Sequence, residues 1–327
     1  RITSIMSSSD FNNLNQENNL YFSALNWDTQ GVKIEGLNKS GDRLENFPIN
    51  IQTEPGFERI MVLNGLAMLN KNGEPRIGII IGQYNDTSSG RNLLLYLDIY
   101  SIDGNLIKRT NIFGDTSKGV LLQMSLMAVG DLNQDNNSEI VVSYGIIDYE
   151  SFIEDRYNIS SYNSFVKVID SDGDIISSPI SIQGYTPRHI ALGDFGRGNL
   201  DIVATFSDTW PTTYDGQKVI GFDYLGNNLF DINLNDSNDL IQGLTIGDVD
   251  GDSESEIIIN QRPRWWDGNP SGIMIYNHNG ILENEIEIPT FGRADDLQSN
   301  YPLLVDLDND GDLEIVQQAT LISSGAS

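Results

Sequence analysis

Three times this chain runs from an acidic loop of one design straight into a β-strand. The loops are Asp131-Leu-Asn133-Gln-Asp135-Asn-Asn137-Ser-Glu139, Asp248-Val-Asp250-Gly-Asp252-Ser-Glu254-Ser-Glu256 and Asp306-Leu-Asp308-Asn-Asp310-Gly-Asp312-Leu-Glu314. Side-chain oxygens at positions 1, 3 and 5, a backbone carbonyl at 7 and a carboxylate at 9 can wrap a hard cation in six or seven oxygens. Ca²⁺ takes that shell at about 2.3–2.6 Å. A residue tolerant of tight backbone geometry is needed inside the loop, and Gly311, Gly251 and Asn136 supply it. An EF-hand would carry a bidentate Glu at position 12, where this chain has Val142, Ile259 and Gln317. A single loop of this kind reads as a solvated acidic turn. Three with one five-position pattern read as about three Ca²⁺ sites.

Composition sets the bounds. The chain has 327 residues, a formal net charge of −28 and no cysteine. Disulfides, zinc–thiolate sites and thiol nucleophiles are therefore excluded, and the charge argues against nucleic acid and anionic membranes as partners. No 20-residue apolar span offers direct membrane insertion. Starting at Arg1 rather than Met, the chain is expected to be a segment of a longer protein. Eleven carboxylates sit at positions 1, 3, 5 and 9 of the three loops. Without cations they repel one another, so the metal-free protein should be the less stable form.

The loop is also a repeat marker. A weaker copy at Met68-Leu-Asn70-Lys-Asn72-Gly73-Glu-Pro-Arg76 keeps the frame but puts Met68 and Arg76 at positions 1 and 9. Asp194-Phe-Gly196-Arg-Gly198-Asn-Leu-Asp201 is one residue short, and Asn13-Leu-Asn15-Gln-Glu17-Asn-Asn19 is a faint copy. Loop starts at 13, 68, 131, 194, 248 and 306 give a period of 54 to 63 residues. Each unit then carries a second hairpin mark, an apolar run ending in a glycine turn: Gly41, Gly104, Gly173, Gly226 and Gly280. Four antiparallel strands at this period describe the blades of an all-β propeller occupying residues 1–327 as one domain, with at least six blades and seven also allowed. Six first hairpins and five second hairpins leave the last blade incomplete, so another domain or a partner strand is expected to complete it.

These residues resemble the FG-GAP/VCBS repeat family, whose best-known member domain is the integrin α-chain N-terminal propeller. The resemblance rests on D-x-[DN]-x-[DN]-x-x-x-[DE] followed by a hydrophobic strand, and it spans nearly the whole chain. It implies a Ca²⁺-binding propeller of a secreted or cell-surface protein, where cell adhesion is a common role. The Gly-Ala-Pro triplet that follows the loop in family members is absent here, as are the disulfides of integrin heads.

In a four-stranded blade the 1–2 and 3–4 loops share one face, and the 2–3 and 4–1 loops share the other. All four tryptophans fall in 2–3 connections: Trp27, Trp210, Trp265 and Trp266. Tyr84, Tyr149, Phe152, Tyr157 and Tyr214 are assigned there too, as are Arg91, Arg156, Arg262 and Arg264; Arg59, Lys118, Arg188 and Arg293 are assigned in or near the 4–1 connections. Trp210, Tyr214, Arg262, Arg264, Trp265 and Trp266 are accordingly the candidate ligand-binding residues, with a protein or carbohydrate as partner. Aromatics packed down as plugs, beside arginines that merely neutralise acids, are the plainer alternative.

His189 and His278 are the only histidines and belong to different faces, and no GxSxG, HExxH, P-loop or GxGxxG occurs. The expectation is thus a non-catalytic, Ca²⁺-stabilised interaction module outside the cell. The alternatives are a polysaccharide lyase or hydrolase, or a domain of one, and a structural spacer of a surface layer or adhesin.

Overall fold

The computed structural model describes residues 2–7, 20–26, 31–87, 90–148, 162–177, 179–208, 216–234, 240–262, 271–288, 302–308 and 312–317. The chain divides into two compact units, Arg1–Gln183 and Gly184–Ser327. Every regular element among the described residues is a strand, and the strands pair antiparallel.

The first unit opens with a four-stranded sheet in sequence order: β1 (Ile2–Ser7), β2 (Leu20–Asn26), β3 (Gly31–Leu37) and β4 (Ile49–Ile51). A seven-stranded sheet follows. Its strands are β5 (Arg59–Lys71), β6 (Glu74–Thr87), β7 (Gly90–Ser101), β8 (Leu106–Gly130), β9 (Glu139–Asp148), β10 (Tyr162–Ile169) and β11 (Ile180–Gln183). The second unit holds two four-stranded sheets and a hairpin. β12 (Tyr185–Asp194), β13 (Leu200–Asp208), β14 (Gln217–Phe222) and β15 (Asn228–Asn233) form one sheet. β16 (Leu240–Gly247), β17 (Glu256–Arg262), β18 (Ser271–Tyr276) and β19 (Leu282–Ile288) form the other, and β20 (Leu303–Val305) pairs with β21 (Glu314–Val316).

The seven-stranded sheet is two four-stranded groups sharing one strand. β8 is 25 residues long. Its first part pairs with β7, and from Val120 to Gly130 it pairs with β9. A loop between the second and third repeats was expected, with Lys118 in it; Lys118 lies within β8 instead. No proline lies between Leu106 and Gly130, so every position there keeps its ladder donor and the strand is free to run on. The corresponding connection from β4 to β5 contains Pro55-Gly56 and leaves the sheet. Tyr84 and Arg91, expected in a 2–3 loop, lie in β6 and β7, and Arg188 and Arg59 lie in β12 and β5.

Central strands are buried on both faces, so their apolar runs are nearly unbroken. Ile77, Ile79 and Ile81 of β6 pack with Val32, Ile34 and Ile49 of the first sheet, while Ile80 packs on the other side with Ile140 and Val142. The second unit repeats this: Ile257 and Ile259 join the core shared with Val219 and Ile232, and Ile258 turns to a core with Leu304 and Ile315. Sheets within a unit therefore pack face to face, central strands such as β6 and β17 each feeding two cores.

All five expected glycine turns are present, with φ of 84°, 83°, 82°, 90° and 74° at Gly41, Gly104, Gly173, Gly226 and Gly280. In each, the glycine N–H donates to the carbonyl three residues earlier at 2.9–3.0 Å. Left-handed backbone is costly for a residue with a Cβ, which is why glycine recurs there.

Candidate metal centre

The 1–2 loops place their carboxylates by backbone bonding. In the loop between β16 and β17, Asp248 accepts from Gly251 N–H (2.7 Å) and Ser253 N–H (2.9 Å), Asp250 from Asp252 N–H (3.2 Å), and Asp252 from Glu254 N–H (2.7 Å). The loop between β8 and β9 does the same. Asp131 accepts from Asp135 N–H (3.1 Å) and Asn136 N–H (2.9 Å), Asn133 from Asp135 N–H (3.0 Å), and Asp135 from Asn137 N–H (2.8 Å). Acceptors at alternate positions curl the chain.

The ninth-position glutamate closes each loop. Glu139 Oε2 accepts Leu132 N–H at 2.8 Å, Glu256 Oε2 accepts Val249 N–H at 2.9 Å, and Glu314 Oε2 accepts Leu307 N–H at 2.7 Å. One oxygen is thereby spent on position 2 and the other is left for a ligand. This bond was not foreseen; its only sequence signal is the fixed interval of seven residues.

Two loops converge. One ligand oxygen from each of Asp248, Asp250 and Glu256 lies within 4.8 Å of the others, and the same holds for Asp306, Asp308 and Glu314. These two acidic clusters can hold a metal ion. At such separations each like-charge pair costs ~1 kcal/mol in water and several times more where solvent is excluded. Burial, reinforced by the neighbouring aspartates, pushes the Glu256 carboxyl up to about 7. Burial, with Asp135 and Asp131 adding to it, does the same to Glu139. A buried carboxylate held this high is relieved by a cation at its open oxygen, so the donor set fits a hard, oxygen-seeking ion. In the loop of Asp131, position 3 is Asn133, which leaves one carboxylate fewer.

The seventh-position side chains turn away to the preceding loop. Asn137 Oδ1 accepts Asn72 N–H at 2.8 Å. Glu254 lies against Gly196, where an added Cβ would come 2.9 Å from its Cγ, and Asp312 lies against Gly251, with Oδ1 2.6 Å from such a Cβ. Glu254 Oε2 also pairs with His278 Nδ1 at 2.6 Å. Position 7 thus couples loops, leaving its backbone carbonyl as the donor. Asp310 lies outside the described residues.

The stripped loops show what replaces the carboxylates. In the loop between β5 and β6, Arg76 stands where position 9 would be, donating to Ser171 O at 2.7 Å and Asp172 Oδ1 at 2.9 Å. Lys71 Nζ reaches Asp172 Oδ2 at 2.7 Å. Together, Lys71 first and Arg76 second, they hold the Asp172 carboxyl below its usual range. Two side-chain cations occupy this position of the repeat. Beyond the short loop after β12, Asp201 of β13 is buried, its Oδ2 accepts no hydrogen bond, and Arg197 Nη1 stands 3.9 Å away. Burial pushes this carboxyl up to about 6.

A second charged cluster in the first unit escaped the sequence reading. Asp98 of β7 is fully buried, with Arg109 Nε and Nη2 at 2.7 and 2.8 Å and Tyr100 Oη at 3.1 Å. Arg109 lies over the Tyr96 ring, 4.1 Å from its centroid, and also pairs with Glu54. A carboxylate so fully engaged is a structural anchor.

Of the candidate ligand-binding residues, Trp210, Tyr214, Arg264, Trp265 and Trp266 lie outside the described residues, and Arg262 ends β17. His189 is buried in β12 with Nδ1 2.9 Å from Thr205 Oγ1. His278 lies in the turn before β19.

No protein-family model matches the chain, and no curated protein matches it. Among solved structures, an exo-β-1,3-galactanase from Phanerochaete chrysosporium, with β-1,3-galactotriose, is 13% identical with a TM-score of 0.37. The match covers 78% of this chain and 53% of the galactanase, so the chain spans about half the galactanase's length. An endo-arabinase from Bacteroides thetaiotaomicron is 9% identical over 86% of this chain and 92% of that one, with a TM-score of 0.36. The sequence reading expected no enzyme. Against that expectation, the galactanase and the arabinase are glycoside hydrolases.

Proposed function

We propose that the chain is a β-propeller of at least six blades, its 1–2 loops loaded with Ca²⁺, that works on polysaccharide outside the cell as a hydrolase or lyase or as a domain of one. The observation that carries the cation part is the convergence of Asp248, Asp250 and Glu256, repeated at Asp306, Asp308 and Glu314. The propeller part is supported by five glycine-turn hairpins of one geometry and by central strands that feed a core on each face. The likeness to FG-GAP/VCBS repeats belongs to the same reading.

Asp248, Asp250, Asp252 and Glu256 would hold one ion, and Asp306, Asp308, Asp310 and Glu314 a second. Asp131, Asn133, Asp135 and Glu139 would hold a third. The ion's part is to hold closed the loop of each β-hairpin, whose carboxylates otherwise repel one another. Weak extracellular sites have Kd values of about 10⁻⁴–10⁻³ M, which millimolar free Ca²⁺ fills.

Galactan and arabinan name the substrate class to test first. The experiment is incubation of the Ca²⁺-loaded chain with β-1,3-galactan, arabinan and acidic polysaccharides. New reducing ends would report hydrolysis, and ultraviolet absorbance of unsaturated sugars would report elimination. Glycan turnover that fails when Trp265 and Trp266 are both replaced by Ala would join the aromatic cluster to the activity. No product from any of the three classes would overturn the polysaccharide reading while leaving the cation reading intact.

A further inference from the structure

The first strand of each four-stranded group pairs with the second through a bulge. The residues left without a cross-strand partner are Thr3 in β1, Asn64 and Gly65 in β5, Gln123 in β8, Arg188 in β12 and Gln242 in β16. In the second unit the two bulges fall at one position, six residues before Asp194 and Asp248. Bulges re-aim side chains and are frequent beside functional sites.

The bulge in β12 turns two successive side chains to one face. Arg188 Nε donates to Ser207 Oγ at 2.6 Å, and His189 Nδ1 meets Thr205 Oγ1 at 2.9 Å, so both lie over alternate residues of β13. The His189 ring also hydrogen-bonds the backbone of Gln242, which fixes one bulge against the other. Val203 and Val219 continue this face inward and pack with Ile257 and Ile259 of β17. The cleft between the two sheets is therefore apolar in its middle and polar at the end where β13 and β17 finish. Burial first, and the Arg188 charge second, push the His189 imidazole down to about 4. It is neutral at pH 7, and Arg188 supplies the positive charge.

Gln261, two residues beyond Ile259, completes this end. It is 5% exposed, yet its Nε2 has no hydrogen-bond partner. The corresponding glutamine of the first unit, Gln83, donates to Tyr96 Oη and Gln52 O. Tyr96 is opposite Ile81, whereas Met274 stands opposite Ile259 and has no hydroxyl to offer. A buried amide with unmade bonds is costly. Here it lies at the same end of the cleft as a guanidinium, with no donor bond to break before it turns to a ligand.

We propose that this end of the cleft binds the carboxylate of an acidic sugar, with Arg188 as its cation and Gln261 Nε2 as a second donor. A carboxylate accepts from two such donors at once, and a guanidinium is the cation that fits it in a plane. The connections that leave this end, 209–216 and 263–270, carry Trp210, Tyr214, Arg264, Trp265 and Trp266, the candidate ligand-binding residues of the sequence. The inference rests on the polysaccharide reading and deepens it by naming uronate-bearing glycans.

The probe is a disaccharide of glucuronate and galactose, set against its methyl ester and titrated into the Ca²⁺-loaded chain. The free acid should bind saturably and at least about 10-fold more tightly than the ester. Arg188→Gln should abolish that preference. Gln261→Met keeps the volume and removes the donor, so it should weaken the acid several-fold and leave the ester unchanged. Equal affinity for acid and ester, no saturation by the acid at millimolar concentration, or an undiminished preference in a folded Arg188→Gln chain would overturn the proposal. Turnover of galactan or arabinan with no preference for the acid would overturn it too, and leave the polysaccharide reading standing. Acid-selective binding lost in both variants, without product from any polysaccharide, would support it and remove catalysis alone.

Discussion

Arg76 Nη1 donates to Asp172 Oδ1 at 2.9 Å, joining the start of β6 to the β10–β11 turn, in the other four-stranded group of the seven-stranded sheet. Glu139, the ninth-position residue of the next loop, stands where Arg76 stands in its own. One repeat is therefore joined to its neighbour by a guanidinium and an ammonium from its own chain, and the other has the carboxylates for a metal.

That contrast gives the first prediction. Arg76→Met keeps the packed stem and removes the donors to Ser171 and Asp172. It should cost about 1–3 kcal/mol, because the partners lose charge-assisted bonds. Chemical unfolding should show the same loss in Ca²⁺ and in chelator. A loss confined to Ca²⁺ would tie Arg76 to a metal site instead.

Glu256→Gln tests the loop closure. The Gln carbonyl can still accept Val249 N–H, so the loop keeps its shape while one ligand charge disappears. Ca²⁺ affinity at that site should fall about 10-fold or more, since ligand charge sets affinity in such loops. Calorimetric titration should show one site weakened and the others unchanged.

Without metal, the same variant should gain stability at neutral pH. The folded Glu256 carboxyl titrates at about 7, above its ordinary 4.5, so stability from this group is complete below the ordinary value and is lost as pH rises through 7. In chelator at pH 8, Glu256→Gln should therefore melt above the parent, and at pH 4 the two should coincide.

Asp201→Asn applies the same sign away from any expected metal. The folded carboxyl titrates at about 6 against an ordinary 3.8. Stability from this group is complete below 3.8 and is lost as pH rises through 6. The variant should be more stable than the parent at pH 8, by about 1–3 kcal/mol, with the gain gone by pH 4. A constant difference across that range would mean that Asp201 does not titrate in the folded state.

Much of the strand order was legible. Gly104, Gly173 and Gly280 mark turns because only glycine sits easily at their φ, and the acidic loops mark the other hairpins because their residues bond their own backbone. The continuity of β8 was not legible, since a missing proline is a permissive signal rather than a directing one. Nor was the pairing of Arg76 and Lys71 with Asp172, which depends on how the two four-stranded groups of the seven-stranded sheet meet. Sequence spacing brought Asp248, Asp250 and Glu256 to one centre. It could not tell that Glu254, two residues from Glu256, turns to His278 and Gly196, because that direction is set by the preceding loop. The aromatic cluster at Trp265 and Trp266 falls outside the described residues and stays a reading of sequence.

The central claim is that cations hold these hairpins together, and thermal unfolding with and without Ca²⁺ tests it most directly. At a ligand concentration ten times Kd each site adds about 1.4 kcal/mol, so three sites should raise the melting temperature by several degrees. Calorimetry should count about three Ca²⁺ per chain, with the loop of Asp131 the weakest for its fewer carboxylates. A melting curve identical in EDTA and in millimolar Ca²⁺, with no heat of binding, would contradict the account.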